Sequence, residues 1–185
     1  TFGGATTGGA TEDTSDASGT ATVADTDTSQ STFTAVSTAT DSVSGYGQYT
    51  IDTAGAWAYT LTDSNSAVQA LAAAATMSDT FAVTSSDGTS QTITITITGV
   101  NDAATFGGAT TGGATEDTSD ASGTATVADT DTSQSTFTAV STETDSVSGY
   151  GPYTITSGGA GAYTHMTLPT AFRALTLSDA ISVNL

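Results

Sequence analysis

A long internal repeat constrains the fold of this chain more than any other feature of its sequence. Residues Thr1–Thr38 recur without a single change as Thr105–Thr142, at an offset of 104 positions. A period of that length is too long for one turn of a solenoid and suits a domain with its own core. We therefore predict one complete domain over 1–102 and a second, truncated and partly divergent copy over 103–185, and we expect both to come from a longer array.

Short runs of β-branched and aromatic residues alternate with polar residues along the first copy. The clearest run, Thr92–Thr98, places three isoleucines on one side and four threonines on the other. Trp57, Tyr59 and Leu61 alternate in the same way. Further strands are predicted near Ala10 and over Gly19–Ala24, Ser31–Thr38, Tyr49–Ile51 and Phe81–Val83. About seven strands in about 100 residues predict an all-β fold of tandem immunoglobulin-like β-sandwiches.

Two segments of the first copy are predicted to be something other than strands. Asn65–Ala75 is rich in alanine and spaces Val68 and Leu71 three apart, which favours a short helical turn. The glycine-rich stretch Gly3–Gly9 lacks the strand-then-helix setting of a phosphate-binding loop. We interpret that stretch as a flexible lead-in.

The charge of the chain excludes several classes of partner. One basic residue, Arg173, stands against 19 acidic ones, and the formal net charge is −18. Nucleic acids and anionic membrane surfaces both require Lys and Arg, so neither is an expected partner. No apolar run is long enough to insert in a membrane, and the chain has no cysteine for disulfides or thiolate metal sites.

The residue types of the first copy leave little room for catalysis. That copy has no His, Lys, Arg or Cys, and His165 and Arg173 of the second copy have no counterparts in the first. Paired carboxylates such as Asp25 and Asp27 remain as possible general acids or bases. A role as metal ligands or as solvated turn residues is the simpler explanation for them. We predict that the chain is not an enzyme.

The carboxylates are typical of a calcium system, because Ca²⁺ takes about six to eight oxygen ligands from Asp, Glu, amide and backbone groups. An EF-hand is excluded, since the sixth position counted from Asp25 is Gln30 rather than glycine. Solvation of a secreted surface is the alternative, and it is favoured for single acids such as Asp16 and Asp63. The candidate Ca²⁺ ligands are Glu12, Asp13, Asp25, Asp27, Asp79, Asn101 and Asp102 in the first copy, and Glu116, Asp117, Asp129 and Asp131 in the second.

Five ordered motifs resemble the VCBS repeat, a cadherin-like module of giant bacterial adhesins and surface proteins. The motifs are G-T-A-T-V-A-D-T-D, Y-T-I-D-T-A-G-A-W-A-Y-T-L, N-S-A-V-Q-A-L, M-S-D-T-F-A-V-T-S-S-D-G-T and T-I-T-I-T-I-T-G-V-N-D-A. The resemblance implies export, typically by a type I system, to the extracellular space or the bacterial cell surface. It also implies calcium at the junction between successive domains, where Asn101 and Asp102 would join Glu116, Asp129 and Asp131. Ala103-Ala104 departs from the Ala-Pro that usually follows Asn-Asp.

The second copy diverges after Tyr163, and the repeat returns only at Leu177–Val183, four residues short. A one-base shift of a back-translated Met166–Arg173 restores a sequence close to Asp63–Gln69, so we hypothesise a local frameshift. As written, this copy ends before its equivalent of Thr92–Thr98 and is expected to expose a sheet edge.

Together these features predict a calcium-rigidified spacer whose partners are the neighbouring repeats of its own chain. One alternative is a self-assembling filament or matrix subunit, in which other copies complete the sheet by strand addition. Another is a glycan-binding module using Trp57, Tyr46, Tyr49 and Tyr59, although the strand parity of Trp57 and Tyr59 favours the core. The threonine face of Thr92–Thr98 is predicted to be a solvated surface rather than an ice-binding one.

Overall fold

A computed structural model of the protein describes residues 1–27 and 29–166. Those residues form an all-β structure of β-sandwich type with one short helix. The chain divides into two compact units. The first unit comprises Thr1–Ala103 together with Thr130–Thr132, and the second comprises Ala104–Asp129 and the residues from Ser133 onward.

The first unit consists of eight strands in two sheets, one more than the approximate count expected. The elements are β1 (Phe2–Gly4), β2 (Thr7–Thr11), β3 (Ala17–Val23), β4 (Val36–Asp41), β5 (Gly47–Ile51), β6 (Ala56–Leu61), α1 (Ser66–Gln69), β7 (Thr76–Thr84) and β8 (Ser90–Thr98). One sheet has the order β1-β3-β6-β5-β4 and the other the order β2-β8-β7.

The core of the first unit is built from the alternating residues of the central strands. Ile93, Ile95 and Ile97 of β8 are each 0% exposed, and Trp57 and Tyr59 of β6 are 2% and 0% exposed. These positions confirm the alternation predicted from the sequence, and they place both aromatic rings in the core.

Strand β2 pairs in parallel with β8, with Thr7 opposite Thr94 and Thr11 opposite Thr98. The other strand pairs of the unit are antiparallel. Because β2 and β8 end side by side, Glu12, the residue after β2, lies next to the end of β8. This register brings residues from the beginning and the end of the first copy together.

Two predictions for the first unit are corrected. The glycine-rich stretch is not a flexible lead-in, because its residues belong in part to β1 and β2. Gly8 lies so close to Trp57 that an added Cβ would sit 2.6 Å from the ring. The strand expected over Ser31–Thr38 begins only at Val36 and continues to Asp41. Phe33 makes instead an isolated bridge to Ser85 and buries its ring.

The predicted helical turn is confirmed as α1, which is only four residues long. The side chain of Asn65 caps it by accepting a hydrogen bond from the Ala67 backbone N–H at 2.9 Å. Val68 is 0% exposed and anchors the helix on the core.

Among the described residues, the second unit has one five-stranded sheet with the order β11-β12-β13-β10-β9. Its strands are β9 (Thr105–Gly108), β10 (Ala121–Ala128), β11 (Val140–Asp145), β12 (Pro152–Ile155) and β13 (Ala160–Tyr163). The strand pairs β10–β13 and β3–β6 have the same register at an offset of 104. The hypothesised frameshift beyond Met166, the return of the repeat at Leu177–Val183 and Arg173 lie outside the described residues.

Within residues 1–27 and 29–166, no helix is long and apolar enough to cross a membrane.

Candidate metal centre

Glu12 is held at the end of β2 with its carboxylate turned inward. Its backbone N–H donates to the Thr98 carbonyl at 3.0 Å, which continues the pairing between β2 and β8 by one residue. The backbone N–H of Val100 donates to Glu12 Oε2 at 3.0 Å. The residue is 0% exposed, and Oε1 has no hydrogen-bond partner. Only one of the two carboxylate oxygens of Glu12 therefore accepts a hydrogen bond.

Asp102 and Asp131 complete a buried acidic cluster with Glu12. The Asp102 backbone N–H donates to Asp131 Oδ2 at 3.0 Å, and Asp131 is 2% exposed. Asp102 Oδ2 is buried without a hydrogen-bond partner. We refer to Glu12, Asp102 and Asp131, all of which belong to the first compact unit, as the acidic cluster.

A short anchor holds Asp131 in this position. The backbone N–H and the hydroxyl of Thr132 both donate to the Ala70 carbonyl, at 3.1 and 2.8 Å. Ala70 follows directly on α1, so the helical turn supplies the acceptor for the segment Thr130–Thr132. That segment belongs to the second copy of the sequence repeat but to the first compact unit.

The acidic residues of the cluster act on one another electrostatically. Burial raises the pKa of Glu12, and the charges of Asp13, Asp102 and Asp131 raise it further, against the lowering effect of the Val100 N–H. The described residues contain no Lys or Arg to offset these charges. Buried carboxylates without a partner cost folding free energy.

The donor set of the acidic cluster fits a hard divalent cation in its chemistry. Its side-chain donors are all carboxylate oxygens, the type that Ca²⁺ prefers, and two of these oxygens are buried without a hydrogen bond. In the described part of the chain, however, no group of three Asp, Glu or His side chains could hold a metal ion as it stands. The cluster thus matches such a cation in the type of its donors and not in the arrangement of its carboxylates.

Asp13 and Asn101 lie beside the acidic cluster in sequence but make other contacts. The Asp13 backbone N–H donates to Asp63 Oδ1 at 3.3 Å, and Gln69 Nε2 donates to Asp13 Oδ1 at 3.3 Å. The side-chain amide of Asn101 donates to the carbonyl of Asp102, and Asn101 is exposed. Asp13 acts on the cluster through its charge, which raises the pKa of Glu12.

Asp25 and Asp27 form an exposed turn in the first unit. The Asp27 backbone N–H donates to Asp25 Oδ1 at 2.8 Å, and Ser31 Oγ accepts from the Asp25 N–H at 2.9 Å. Asp129 makes the matching contact with Ser135 Oγ at 2.9 Å, but its near neighbour Asp131 is buried in the acidic cluster. The two Asp-x-Asp motifs share a sequence and differ in setting.

Glu116 and Asp117 are exposed residues of the second unit. The Asp117 backbone N–H donates to His165 Nε2 at 3.0 Å, and His165 Nδ1 lies 2.9 Å from Asp120 Oδ1. His165 corresponds in the repeat to Leu61 of the first unit. In the second unit the imidazole of His165 accepts from the Asp117 N–H, whereas in the first unit the carboxylate of Asp63 accepts from the Asp13 N–H.

Asp79 is buried at 1% exposure in a different part of the first unit. Its carboxylate accepts hydrogen bonds from the Ser42 hydroxyl, the Tyr59 hydroxyl at 2.8 Å, and the backbone amides of Ser44 and Thr80 at 3.1 and 2.7 Å. Burial alone would raise the pKa of Asp79, but these four donors together hold it below its ordinary value. Protein groups thus stabilise this carboxylate in its charged form.

Sequence reasoning selected all three residues of the acidic cluster but did not group them. The resemblance placed Glu116 with Asp102 and Asp131, whereas the acidic cluster contains Glu12 and the exposed Glu116 lies in the second unit. The missing signal is the parallel pairing of β2 with β8, which brings Glu12 to Val100. Parallel pairing between the second and the last strand of a copy leaves no local mark in the sequence.

No protein-family model matches this sequence, and no curated protein matches it.

Proposed function

We propose that the chain is a structural repeat module of an extracellular bacterial adhesin or surface fibre, in which calcium stiffens the join between successive repeats. The observation that carries this proposal is the acidic cluster, in which Glu12 and Asp102 each bury a carboxylate oxygen without a hydrogen bond. The VCBS-like motifs of the sequence support the same function. On this proposal the chain does no chemistry on a substrate.

The origin of the three carboxylates supports a role at a join. Glu12 and Asp102 belong to the first copy of the repeat and Asp131 to the second, while all three pack in one compact unit. An ion held by residues of both copies stabilises the arrangement in which Thr130–Thr132 rests on Ala70. Stiffness then depends on occupancy of the site.

The charge balance explains why a cation is needed. The chain has 19 acidic residues against one basic residue, and residues 1–27 and 29–166 include no Lys or Arg that could neutralise the acidic cluster. Calcium supplies two positive charges there when it is bound. Extracellular calcium modules have dissociation constants of about 10⁻⁴–10⁻³ M. At about ten to a hundred times that concentration, one site stabilises the folded state by about 1.4–2.7 kcal/mol.

Titration calorimetry of the whole chain with Ca²⁺ tests this proposal. We expect a saturable site that Asp131→Asn weakens at least tenfold. The matched control is Asp27→Asn, because Asp27 occupies the same place in the first copy but is exposed. A wild-type chain that binds no Ca²⁺, or an Asp131→Asn variant that binds as well as the control, contradicts the proposal.

A self-assembling filament is the second candidate function. It is favoured by the inner face of the sheet in the second unit, which within the described residues has no covering sheet equivalent to β2-β8-β7. Strand addition from another chain would cover that face. Analytical ultracentrifugation separates the two functions, since a spacer stays monomeric as concentration rises and a filament subunit grows.

A further inference from the structure

Trp57 fills a closely fitted slot in the first unit. Its indole Nε1–H donates to the Ala5 carbonyl at 2.8 Å, and its ring lies over two glycines that leave no room for a side chain. A Cβ on Gly8 would lie 2.6 Å from Cη2 of the ring, and a Cβ on Gly19 would lie 2.5 Å from Cζ2. Gly8, Gly19 and the Ala5 carbonyl thus form a slot that fits an indole ring.

The second unit repeats the walls of this slot but lacks the ring. Across β10 and β13, Gly123 lies opposite Gly161, in the register in which Gly19 lies opposite Trp57. The Ala109 N–H donates to the Thr124 carbonyl at 2.8 Å, as the Ala5 N–H donates to the Thr20 carbonyl. A Cβ on Gly112 would lie 3.3 Å from Ala121 Cβ, as a Cβ on Gly8 would lie 3.3 Å from Ala17 Cβ. Glycine stands at position 161, where the first unit has the tryptophan that lies over both glycines.

A groove of about 360 Å³ occupies this place in the second unit. The nearest atom to a Cβ built on Gly161 is the Thr154 carbonyl oxygen at 3.5 Å, so the replaced side chain has left open space. The groove is lined by, among others, Ala109, Gly112, Gly123, Gly161, Tyr153 and Tyr163.

We propose that this groove is a binding site for a small planar aromatic molecule of the indole class. The ring lies over Gly112 and Gly123, as the ring of Trp57 lies over Gly8 and Gly19. The ring N–H donates to the Ala109 carbonyl, the counterpart of the Ala5 carbonyl. Tyr153 and Tyr163 supply aromatic contacts at the side of the groove. This site is independent of the acidic cluster and of calcium.

The chain itself contains the control for this proposal, because the matching slot in the first unit is already filled. Free indole is titrated into the ¹⁵N-labelled full-length chain, and amide shifts are followed by nuclear magnetic resonance. We expect saturable shifts at Gly112, Gly123 and Gly161 and none at Gly8 and Gly19. Benzothiophene, which has the same shape but no N–H, is expected to bind about fivefold more weakly, the factor given by one net hydrogen bond.

Two variants locate the site. Gly161→Trp restores the covalently attached ring and is expected to abolish indole binding. The control, Gly158→Trp, adds an indole at an exposed turn position of the same hairpin and is expected to leave binding unchanged. The proposal is overturned if indole gives no saturable shifts, if it shifts Gly8 and Gly19 as much as Gly112 and Gly123, or if the Gly161→Trp chain binds indole as well as the Gly158→Trp chain.

Discussion

The backbone N–H of Asp102 donates a hydrogen bond of 3.0 Å to the carboxylate of Asp131, a residue 29 positions further along the chain. This bond ties the segment after β8 to a residue of the second repeat copy. The side-chain oxygen Oδ2 of Asp102 is buried without a hydrogen-bond partner, as is Oε1 of Glu12. The charge of Asp102 acts on Glu12 and raises its pKa. The geometry is that of three acidic residues brought together by backbone hydrogen bonds between segments far apart in the chain.

Replacement of Glu12 by glutamine is expected to have opposite effects with and without calcium. In chelator at neutral pH, Glu12→Gln raises the free energy of unfolding by about 1–2 kcal/mol, because an amide keeps the acceptor for Val100 N–H and removes a buried charge. In saturating calcium the same variant is less stable than the wild type, because it has lost a ligand. Trp57 is the only tryptophan, so its fluorescence reports unfolding of the first unit.

Glu116→Gln is the matched control, since Glu116 has the same neighbours in sequence but is exposed. We expect it to change the free energy of unfolding by less than about 0.5 kcal/mol in either condition. An effect of the same sign for Glu12→Gln in calcium and in chelator would contradict the role given to Glu12.

The raised pKa of Glu12 predicts a pH dependence of the metal-free chain. A carboxyl group whose pKa is raised by folding adds stability that is fully present below its ordinary value of 4.5 and is lost as the pH rises through its folded pKa. The wild type in chelator therefore loses stability over that window, and Glu12→Gln does not. Melting curves of the two chains at closely spaced pH values measure the difference, and parallel profiles would refute it.

Asp79→Asn is expected to destabilise the first unit by about 2–3 kcal/mol at neutral pH, because the carboxylate accepts four hydrogen bonds in the core. Since the pKa of Asp79 is lowered by folding, its contribution is present above the ordinary value of 3.8 and is lost as the pH falls through the folded pKa. Urea unfolding at neutral and acidic pH should show the cost of the substitution shrinking in acid. Asp41→Asn, at an exposed carboxylate that accepts from Gln48, should cost little at either pH.

Glycine-to-alanine substitutions at matched positions are expected to lower the free energy of unfolding by different amounts in the two units. Gly8→Ala is expected to cost about 1–3 kcal/mol, because the new Cβ would lie 2.6 Å from the Trp57 ring and 3.1 Å from Ile95 Cδ1. Gly112→Ala is expected to cost far less, since the new Cβ meets only Ala121 Cβ at 3.3 Å. Denaturant unfolding of both variants tests this, and equal losses would show that the slot around Trp57 is not packed as described.

The chain shows how far an identical sequence determines an identical structure. Thr7–Thr11 forms β2, paired in parallel with β8, whereas the same residues at 111–115 form no strand. Glycine and alanine, which make up three of the five residues of this segment, are depleted in strands, so pairing with β8 decides the outcome. This is why the alternation of β6 and β8 predicted the core correctly while the glycine-rich stretch was misread as a flexible lead-in.

The candidate site was predictable to a similar extent. Paired motifs selected Glu12, Asp102 and Asp131, namely Glu-Asp, Asn-Asp and Asp-x-Asp in a chain with one basic residue, and the family resemblance favoured calcium at the last two. Their grouping depends on the register of β2 with β8 and on the anchor of Thr132 at Ala70, contacts between residues far apart in the chain. The same motif at Asp25 and Asp27 stays exposed, so the local sequence carried no signal of which copy would be buried.

The most direct test of the calcium-rigidified spacer is a thermal melt of the whole chain, followed by Trp57 fluorescence, with Ca²⁺ titrated against excess chelator. We predict a melting temperature that rises with Ca²⁺ and saturates, rises less with Mg²⁺, and loses its Ca²⁺ response in Asp131→Asn but not in Asp27→Asn. A melting temperature that does not respond to Ca²⁺ would contradict the account and reduce the acidic cluster to a destabilising feature of the fold.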